Sequence, residues 1–299
     1  MKHLAVLCIA GICALAVFPA HAAQTGWRGD MGTFRIGLVA PDGRMSARDR
    51  ALVREAFSSA LGMPVDIFQA RNFPALIDAQ AAGHVDYAVY SAVAFIAAVR
   101  YCGCVEPLAA PVSQGGATGL RAVVLSRADA APGSGEAGRI AMAAGGSLGP
   151  LAAFDIREAG LQGRIVQFQT PEEALSAFLQ GDVEAMAGHV LTGPGGDMEA
   201  TGTVALLQAR GLAPSGLAIA WRGPVIGFGP HTVRTTLSGE AKSILRDVLT
   251  GLAGRPDVLE ALSPRFTGGF RPVRPIDYTG AAELLDRLLS AETKEPAGD

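Results

Sequence analysis

The stretch Ile140-Ala141-Met142-Ala143-Ala144-Gly145-Gly146-Ser147-Leu148-Gly149-Pro150 determines the class of fold that the sequence predicts. Its apolar start predicts a buried strand, its glycines predict a tight turn, and Pro150 begins a helix. Free backbone N–H groups and the positive end of the helix dipole meet at such a turn, which makes it a ready site for an anion. The hydroxyl of Ser147 and the backbone N–H groups of Leu148 and Gly149 are therefore candidate ligand-binding groups.

The same residues also form the pattern Gly145-x-Ser147-x-Gly149, in which serine hydrolases carry their nucleophile. In this alternative Ser147 attacks an ester, and its partners come from later in the chain. The possible base is His189 or His231, and the possible orienting carboxylate is Asp182 or Asp197. The chain has no HGGG-like segment for an oxyanion hole, and Pro150 follows the motif at once. We therefore predict a binding protein without catalytic residues and keep the secreted hydrolase as the less favoured alternative.

The N-terminus has the pattern of a signal peptide. Lys2 precedes an apolar run of 15 residues, 4–18, and Ala20-His21-Ala22 offers small residues at the positions that signal peptidase reads. The run is shorter than the roughly 20 residues that a membrane span needs. We expect residues 1–22 to be removed after Ala22 and the protein to be exported to the periplasm, with a retained membrane anchor as the alternative.

The charge of the mature chain argues against one class of partner. Without residues 1–22, which include Lys2 but no acid, 24 of the 25 Lys and Arg residues remain beside 28 Asp and Glu, a formal net charge of −4. Because no basic stripe is present to neutralise phosphates, we expect no nucleic acid as a partner.

Two cysteines, Cys102 and Cys104, lie beyond the predicted signal peptide. The periplasm permits a disulfide between them, although a Cys-x-Cys bridge closes a very small ring. A disulfide and free thiols both stay open. We expect neither a metal site nor a cofactor, because no further His or Cys lies close by in sequence.

Strand and helix patterns alternate along the chain. The predicted strands are 34–39, 65–69, 85–90, 120–126, 139–144, 164–168 and 183–187. The predicted helices are 46–61, 72–82, 91–100, 150–160, 171–180, 238–253, 256–262 and 278–289. This alternation with short loops predicts an α/β protein with two units, each a doubly wound, mostly parallel sheet, and ligands in such sheets bind at the carboxyl ends of strands.

Short motifs occur in a fixed order along this pattern. They are Gly62-Met63-Pro64-Val65, Arg71-Asn72-Phe73-Pro74-Ala75-Leu76-Ile77, Gly83-His84-Val85-Asp86-Tyr87-Ala88, the stretch 140–151, and Gly181-Asp182-Val183-Glu184-Ala185. Together they resemble the periplasmic substrate-binding proteins of phosphate, phosphite and phosphonate ABC transporters, which are type II periplasmic binding proteins. The resemblance covers nearly the whole mature chain.

This resemblance implies a Venus-flytrap fold in which the chain passes twice between two lobes, near 112–120 and 214–224. Lobe one is then 26–117 plus 222–299, and lobe two is 118–221. The resemblance also implies that a small anionic ligand, a phosphonate- or phosphate-like oxyanion, is captured between the lobes and handed to a membrane permease. We expect a monomer, and a role in feeding a sensor kinase is the alternative.

Four further residues are candidates for the ligand site. Tyr90 and Ser91 end the third strand, and Arg44 in the loop after the first strand could bind an oxyanion with two charge-assisted hydrogen bonds. His189 ends a strand of the second lobe where the family often has an acid, and it would favour a more fully charged anion. If the cleft instead held an apolar or cationic group, the aromatic residues Phe73, Tyr90 and Phe95 would line it.

Overall fold

The computed structural model of the chain describes residues 26–39, 45–128, 138–143 and 165–292. The strands in these ranges are β1 (Phe34–Val39), β2 (Val65–Ala70), β3 (Tyr87–Val89), β4 (Val105–Pro111), β5 (Gly119–Arg127), β6 (Ile140–Ala143), β7 (Ile165–Phe168), β8 (Ala185–Gly193), β9 (Gly196–Met198), β10 (Leu217–Gly227), β11 (His231–Arg234) and β12 (Phe270–Pro272). The helices there are α1 (Trp27–Met31), α2 (Ala47–Leu61), α3 (Phe73–Ala81), α4 (Ala92–Cys102), α5 (Pro171–Gln180), α6 (Gly202–Ala209), α7 (Gly239–Gly251), α8 (Pro256–Leu262) and α9 (Thr279–Glu292).

The described strands form two separate sheets. The first has the order β12-β4-β11-β3-β1-β2, in which β1 to β4 run in one direction and β11 and β12 run against them. The second has the order β10-β5-β8-β6-β7, with β9 paired to β8, and there β6, β7, β8 and β10 share one direction. The prediction of an α/β fold with two mostly parallel sheets is confirmed.

Helices cover both faces of the first sheet because successive strand residues point to opposite sides. Tyr87 of β3 belongs to one apolar cluster, together with side chains of α2, α7 and α8. Its neighbour Ala88 belongs to another, together with side chains of α3, α4 and α9. The sheet is therefore wound on both faces, as the strand–helix alternation predicts.

The ends of the helices follow from local sequence. Ser46 and Asn72 accept hydrogen bonds from the N–H groups of Asp49 and Ala75 at the starts of α2 and α3. Gly62 ends α2 with φ +65° and Gly181 ends α5 with φ +83°, backbone angles that favour glycine. These helices therefore begin and end within one residue of their predicted positions.

Five of the described strands were not predicted: β4, β9, β10, β11 and β12. For β4 and β10 the reasons are related. β4 contains Pro107 and Pro111, which interrupt the hydrogen-bonding pattern expected of a strand. β10 has irregular pairing between Arg222 and Val225, where Gly223-Pro224 is accommodated in a bulge. In both cases neighbouring strands stabilise a segment that its own sequence marks as a loop.

The chain passes twice between the sheets, at adjacent positions. The first connection, 112–118, lies where it was predicted. The second is 228–230 and not 214–224, because β10 stays paired to β5 as far as Gly227 opposite Gly119. The Phe228 N–H donates to the Thr118 carbonyl oxygen at 3.0 Å, which joins the two connections directly. The residue boundaries of the two lobes stay a prediction.

Three further expectations concern the two cysteines, a membrane span and the signal peptide. A disulfide joins Cys102, the last residue of α4, to Cys104. No helix of the described ranges is both long and apolar enough to cross a bilayer. The predicted signal peptide, residues 1–22, lies outside the described residues.

Candidate ligand-binding cleft

The start of α4 forms one wall of a cavity between the two sheets. Ser91 ends the β3 segment and caps α4, since its Oγ accepts a hydrogen bond from the Ala94 N–H at 3.2 Å. Its own O–H proton is free to be donated outward. The N–H groups of Ala92 and Val93 have no acceptor within the helix, because the first turn of any α-helix leaves its donors unpaired. This end of α4 therefore presents donors and a positive dipole to the cavity.

The second sheet supplies the opposite wall through β5 and β8. Leu120 of β5 pairs with Leu191 of β8, and Ala122 pairs with His189. The backbone of His189 donates to the Thr203 Oγ1 at 3.0 Å. Gly202 has φ +57°, and a Cβ there would lie 2.9 Å from the His189 ring. Burial lowers the pKa of His189, so its imidazole is neutral at pH 7 and offers one donor and one acceptor.

The second interlobe connection closes the cavity at its base. The Phe228 carbonyl oxygen accepts a hydrogen bond from the Tyr278 hydroxyl at 3.0 Å. Gly229 lies against Tyr90 and Ser91, and a Cβ there would collide with the Tyr90 carbonyl oxygen. The connection is thus fixed against the very residues that begin α4.

The loop after α8 forms the remaining wall, with Arg265 and Phe266. Phe266 is held in this loop by Ser263, whose Oγ donates to the Phe266 carbonyl oxygen at 3.1 Å and whose carbonyl accepts the Phe266 N–H at 3.2 Å. The Phe266 ring stacks on that of Phe228, with 3.7 Å between ring centroids and 19° between planes. The neighbouring Arg265 is exposed, and none of the ion pairs found in the described residues involves it.

These four walls enclose a cavity of about 320 Å³. Its lining residues are Ser91, Ala92, Val93, Leu120, His189, Leu191, Ile226, Gly227, Phe228, Gly229, Arg265 and Phe266. No aspartate or glutamate is among these described lining residues, whereas Arg265 is charged and α4 adds its positive end. The electrostatic character of the cavity therefore suits a small anion.

A second depression of about 420 Å³ differs from this cavity in its composition. It is lined by Arg54, Glu55, Ser58, Ser59, Pro64 and Val65, all from α2 and the approach to β2. Only the first sheet and its helix contribute to it, and it joins a cation to an acid. We therefore take the cavity between the sheets as the candidate site.

Residues 42–278 match the family model described as the periplasmic phosphonate substrate-binding protein of ABC transporters. The chain belongs to this family. Its members are periplasmic substrate-binding proteins, so the predicted family is confirmed, and the predicted binding function and compartment are confirmed at the level of the family. The sequence matches none of the curated proteins at a significant level.

Solved structures show the same fold at low sequence identity. The XAC2383 protein of Xanthomonas citri bound to ATP has a TM-score of 0.58 at 16% identity and covers 88% of this chain and 98% of its own. PhnD1 of Prochlorococcus marinus in complex with methylphosphonate has a TM-score of 0.53 at 12% identity, covering 87% and 99%. The ABC phosphonate transporter binding protein PA3383 of Pseudomonas aeruginosa has a TM-score of 0.52 at 17% identity, covering 89% and 90%.

Within this periplasmic binding protein, the structure brings together two of the residues that the sequence suggested. Ser91 and His189 line the same cavity from opposite sheets. The Tyr90 ring does not line it. It is buried in the first lobe beside Phe73, with 6.4 Å between ring centroids, and its hydroxyl donates to the Leu76 carbonyl oxygen at 3.4 Å. The expectation that the Tyr90 side chain faces the cleft is therefore corrected: Tyr90 continues the alternation of β3, so its ring packs in the same apolar cluster as Ala88.

The remaining candidates, Arg44, Ser147, Leu148 and Gly149, lie outside the described residues. The strand that precedes Ser147 is described, however. β6 runs parallel to β8 with Ile140 opposite Ala185, so its last residue, Ala143, is level with Gly188 at the same register. The carboxyl end of β6 is thus one residue short of the level of His189.

Two of the groups named for the hydrolase alternative, His231 and Asp197, lie in different sheets. The His231 ring is buried in the first sheet, where its Nδ1 is hydrogen-bonded to the Tyr87 hydroxyl. Asp197 lies in the second sheet, where it forms ion pairs with Arg121 at 2.9 Å and Arg222 at 3.2 Å. These two candidates therefore have other partners, whereas His189, the other candidate base, lines the cavity.

Arg265, Phe228 and Phe266 are the most distinctive of the lining residues that the sequence reasoning missed. The aromatic residues that the sequence offered, Phe73, Tyr90 and Phe95, all pack in the core of the first lobe. The only signal for the true lining residues was their place in Gly/Pro-rich connections, which often carry binding residues.

Proposed function

We propose that this protein binds a small oxyanion of the phosphonate class in the cavity between its sheets and delivers it to an ABC transporter permease. The observation that carries the proposal is the set of donors around that cavity: Ser91 and the start of α4 from the first sheet, His189 from the second sheet, and Arg265 from the loop after α8. No carboxylate among the described lining residues opposes them.

Each donor has a distinct part in holding the anion. The Arg265 guanidinium offers two parallel N–H groups to two oxygens, which is the strongest single contact available here. The Ser91 O–H and the N–H groups of Ala92 and Val93 add neutral hydrogen bonds aligned with the helix dipole. The His189 imidazole donates one further hydrogen bond from the other sheet. A ligand held by both sheets favours the closed arrangement of the lobes.

Further contacts and properties rest on the sequence. We propose that Ser147, the amides of Leu148 and Gly149, and Arg44 complete the anion site. We also propose cleavage of the signal peptide near Ala22, a monomeric state, and a division into two lobes at the two connections, 112–118 and 228–230. Nucleic acid is not part of this proposal.

The first experiment is a thermal-shift screen of the purified protein against phosphate, methylphosphonate, ethylphosphonate, methanesulfonate, sulfate, acetate and small cations, followed by calorimetric titration. A ligand at a hundredfold excess over its Kd raises the free energy of unfolding by about 2.7 kcal/mol. We expect oxyanions to stabilise the protein. Stabilisation by cations alone would overturn the proposal.

Two matched pairs of variants then assign the site. Arg265→Gln should weaken oxyanion binding by about 10- to 100-fold, because it removes charge-assisted hydrogen bonds. Arg71→Gln, a change at an exposed arginine that does not line the cavity, should leave the affinity unchanged.

Ser91→Ala and Ser238→Ala remove equivalent caps, since each serine accepts from a helical N–H at 3.2 Å. Both should lower the free energy of unfolding by about 1 kcal/mol. Only Ser91→Ala should also lower the affinity for the anion, by about tenfold. Equal affinities in the two variants would remove Ser91 from the site.

A further inference from the structure

We infer that the cleft selects an oxyanion that carries a short alkyl or aryl group and lacks an ammonium group. This inference rests on the proposed function and specifies its substrate class. Its basis is the division of the cavity into a small polar part and a much larger carbon-lined part, which inorganic phosphate would leave in contact with nothing but water.

The carbon-lined part comes from both sheets. Leu120 and Leu191 face the cavity from the second sheet, and Val93 faces it from α4. Ile226 joins them from the end of β10. Each methylene of a ligand that is moved from water onto such a surface strengthens binding by about fourfold. A phosphonate with two or more carbons can use this surface, whereas phosphate cannot.

The stacked pair Phe228 and Phe266 is the most specific element of this surface. Both backbones are fixed, Phe228 by Thr118 and Tyr278 and Phe266 by Ser263, so the rings are in place without a ligand. Preformed apolar surface costs no ordering when a ligand binds. Two parallel rings 3.7 Å apart present an edge and a face against which a flat or short apolar group can pack.

The charges of the described lining residues disfavour a zwitterion. An ammonium group on the ligand would need a carboxylate or several carbonyl acceptors when it leaves water. The described lining residues include no aspartate or glutamate, and Arg265 would repel a second cation. An ω-amino substituent therefore loses the apolar contact and finds no partner in exchange.

The volume limits the size of the substituent. A cavity of about 320 Å³ is at the lower end of the range for small-molecule sites, which leaves room for an oxyanion head and a few carbons or one ring. Long acyl chains do not fit it.

The test compares four probes by calorimetric titration of the purified full-length protein: phosphate, ethylphosphonate, 2-aminoethylphosphonate and phenylphosphonate. We expect ethylphosphonate and phenylphosphonate to bind about tenfold or more tightly than either phosphate or 2-aminoethylphosphonate. If phosphate or 2-aminoethylphosphonate binds as tightly as ethylphosphonate, the inference is wrong and the proposed function stands. If none of the four binds, the proposed function itself fails.

A variant assigns the preference to the aromatic pair. Phe266→Ala removes the half-exposed ring of the stack and should reduce the preference for phenylphosphonate over phosphate to about threefold or less, with the affinity for phosphate unchanged. Phe68→Ala, which removes an exposed phenylalanine of β2 that does not line the cavity, is the matched control and should keep the full preference. An unchanged preference in Phe266→Ala would overturn the assignment to this pair.

Discussion

His189 and His231 carry the same side chain, and burial lowers the pKa of both, yet they belong to opposite sheets and have unlike surroundings. His231 is fully buried in the first sheet, and burial lowers its pKa to about 3. Its ring lies edge-on to Phe270, with 4.6 Å between centroids, and is hydrogen-bonded to Tyr87. His189 is half-buried and faces the cavity between the sheets.

The difference shows what a lowered histidine pKa does and does not indicate. In His231 the neutral ring is a component of the core: burial also raises the pKa of Tyr87, so the phenol stays protonated and we assign it as the donor to the imidazole Nδ1. In His189 the same desolvation leaves a ring that a ligand can reach. Access to the cavity, and not the lowered pKa, distinguishes His189, which we propose as a binding residue, from His231 in the core.

The largest expected effect comes from replacing each histidine with alanine, which tests whether His231 supports the core and His189 does not. His231→Ala should lower the free energy of unfolding by about 3 kcal/mol, because it opens a cavity in the core and leaves the Tyr87 hydroxyl without its acceptor. His189→Ala should cost about 1 kcal/mol or less, since its ring is only half-buried. Urea unfolding of both variants measures the two values. Comparable losses would mean that both histidines are structural.

The contrast between the two histidines also marks what sequence reasoning could reach. The strand–helix pattern placed Ser91 at a helix start, and Ser91 caps α4 there. It placed His189 at a strand end, whereas His189 lies in the middle of β8, opposite Ala122 of β5, and lines the cavity from that position. His231 stood beside glycine and proline in Gly229-Pro230, with no periodicity to show that it begins a strand in the middle of the first sheet.

Arg265, Phe228 and Phe266 could not be found in this way. Phe228 lies on a connection whose position depends on how far β10 pairs with β5, and that pairing is a tertiary property. Arg265 and Phe266 lie in a loop that reaches the cavity only because α8 packs on α2 in the first-lobe core. Local sequence patterns predict elements, but the assembly of elements decides which loops meet.

The second expected effect is the acid sensitivity of stability. Above pH 6.5 the side chain of residue 231 is neutral in both the native and the unfolded chain, so it contributes nothing to pH dependence. Below pH 6.5 the unfolded chain binds a proton there that the native protein refuses until about pH 3. The free energy of unfolding should therefore fall as pH drops from 6.5 towards 3, by up to about 1.4 kcal/mol per pH unit from this group.

Urea unfolding of the wild type and of His231→Gln between pH 3.5 and 7.5 measures this contribution. Glutamine keeps an acceptor for Tyr87 and does not titrate, so the other acidic groups cancel in the difference. The difference in the free energy of unfolding between the wild type and His231→Gln should become smaller or change sign as the pH falls. Parallel curves over this range would show that His231 does not drive the acid sensitivity.

The smallest expected effect concerns the affinity of the cleft at acid pH. Burial lowers the pKa of His189 in the empty protein, but an anion bound beside the ring favours the imidazolium and raises that pKa again. Binding then takes up a proton, so the affinity should rise as the pH falls below 6.5, by about two- to tenfold. His189→Gln keeps a donor without a titrating group and should lose this rise.

Calorimetric titration of the wild type and of His189→Gln with the same phosphonate measures this effect, because the ligand's own ionisation cancels in the comparison. If both proteins show the same rise, the protonation belongs to the ligand or to another residue, and His189 is no more a pH-responsive binding group than His231.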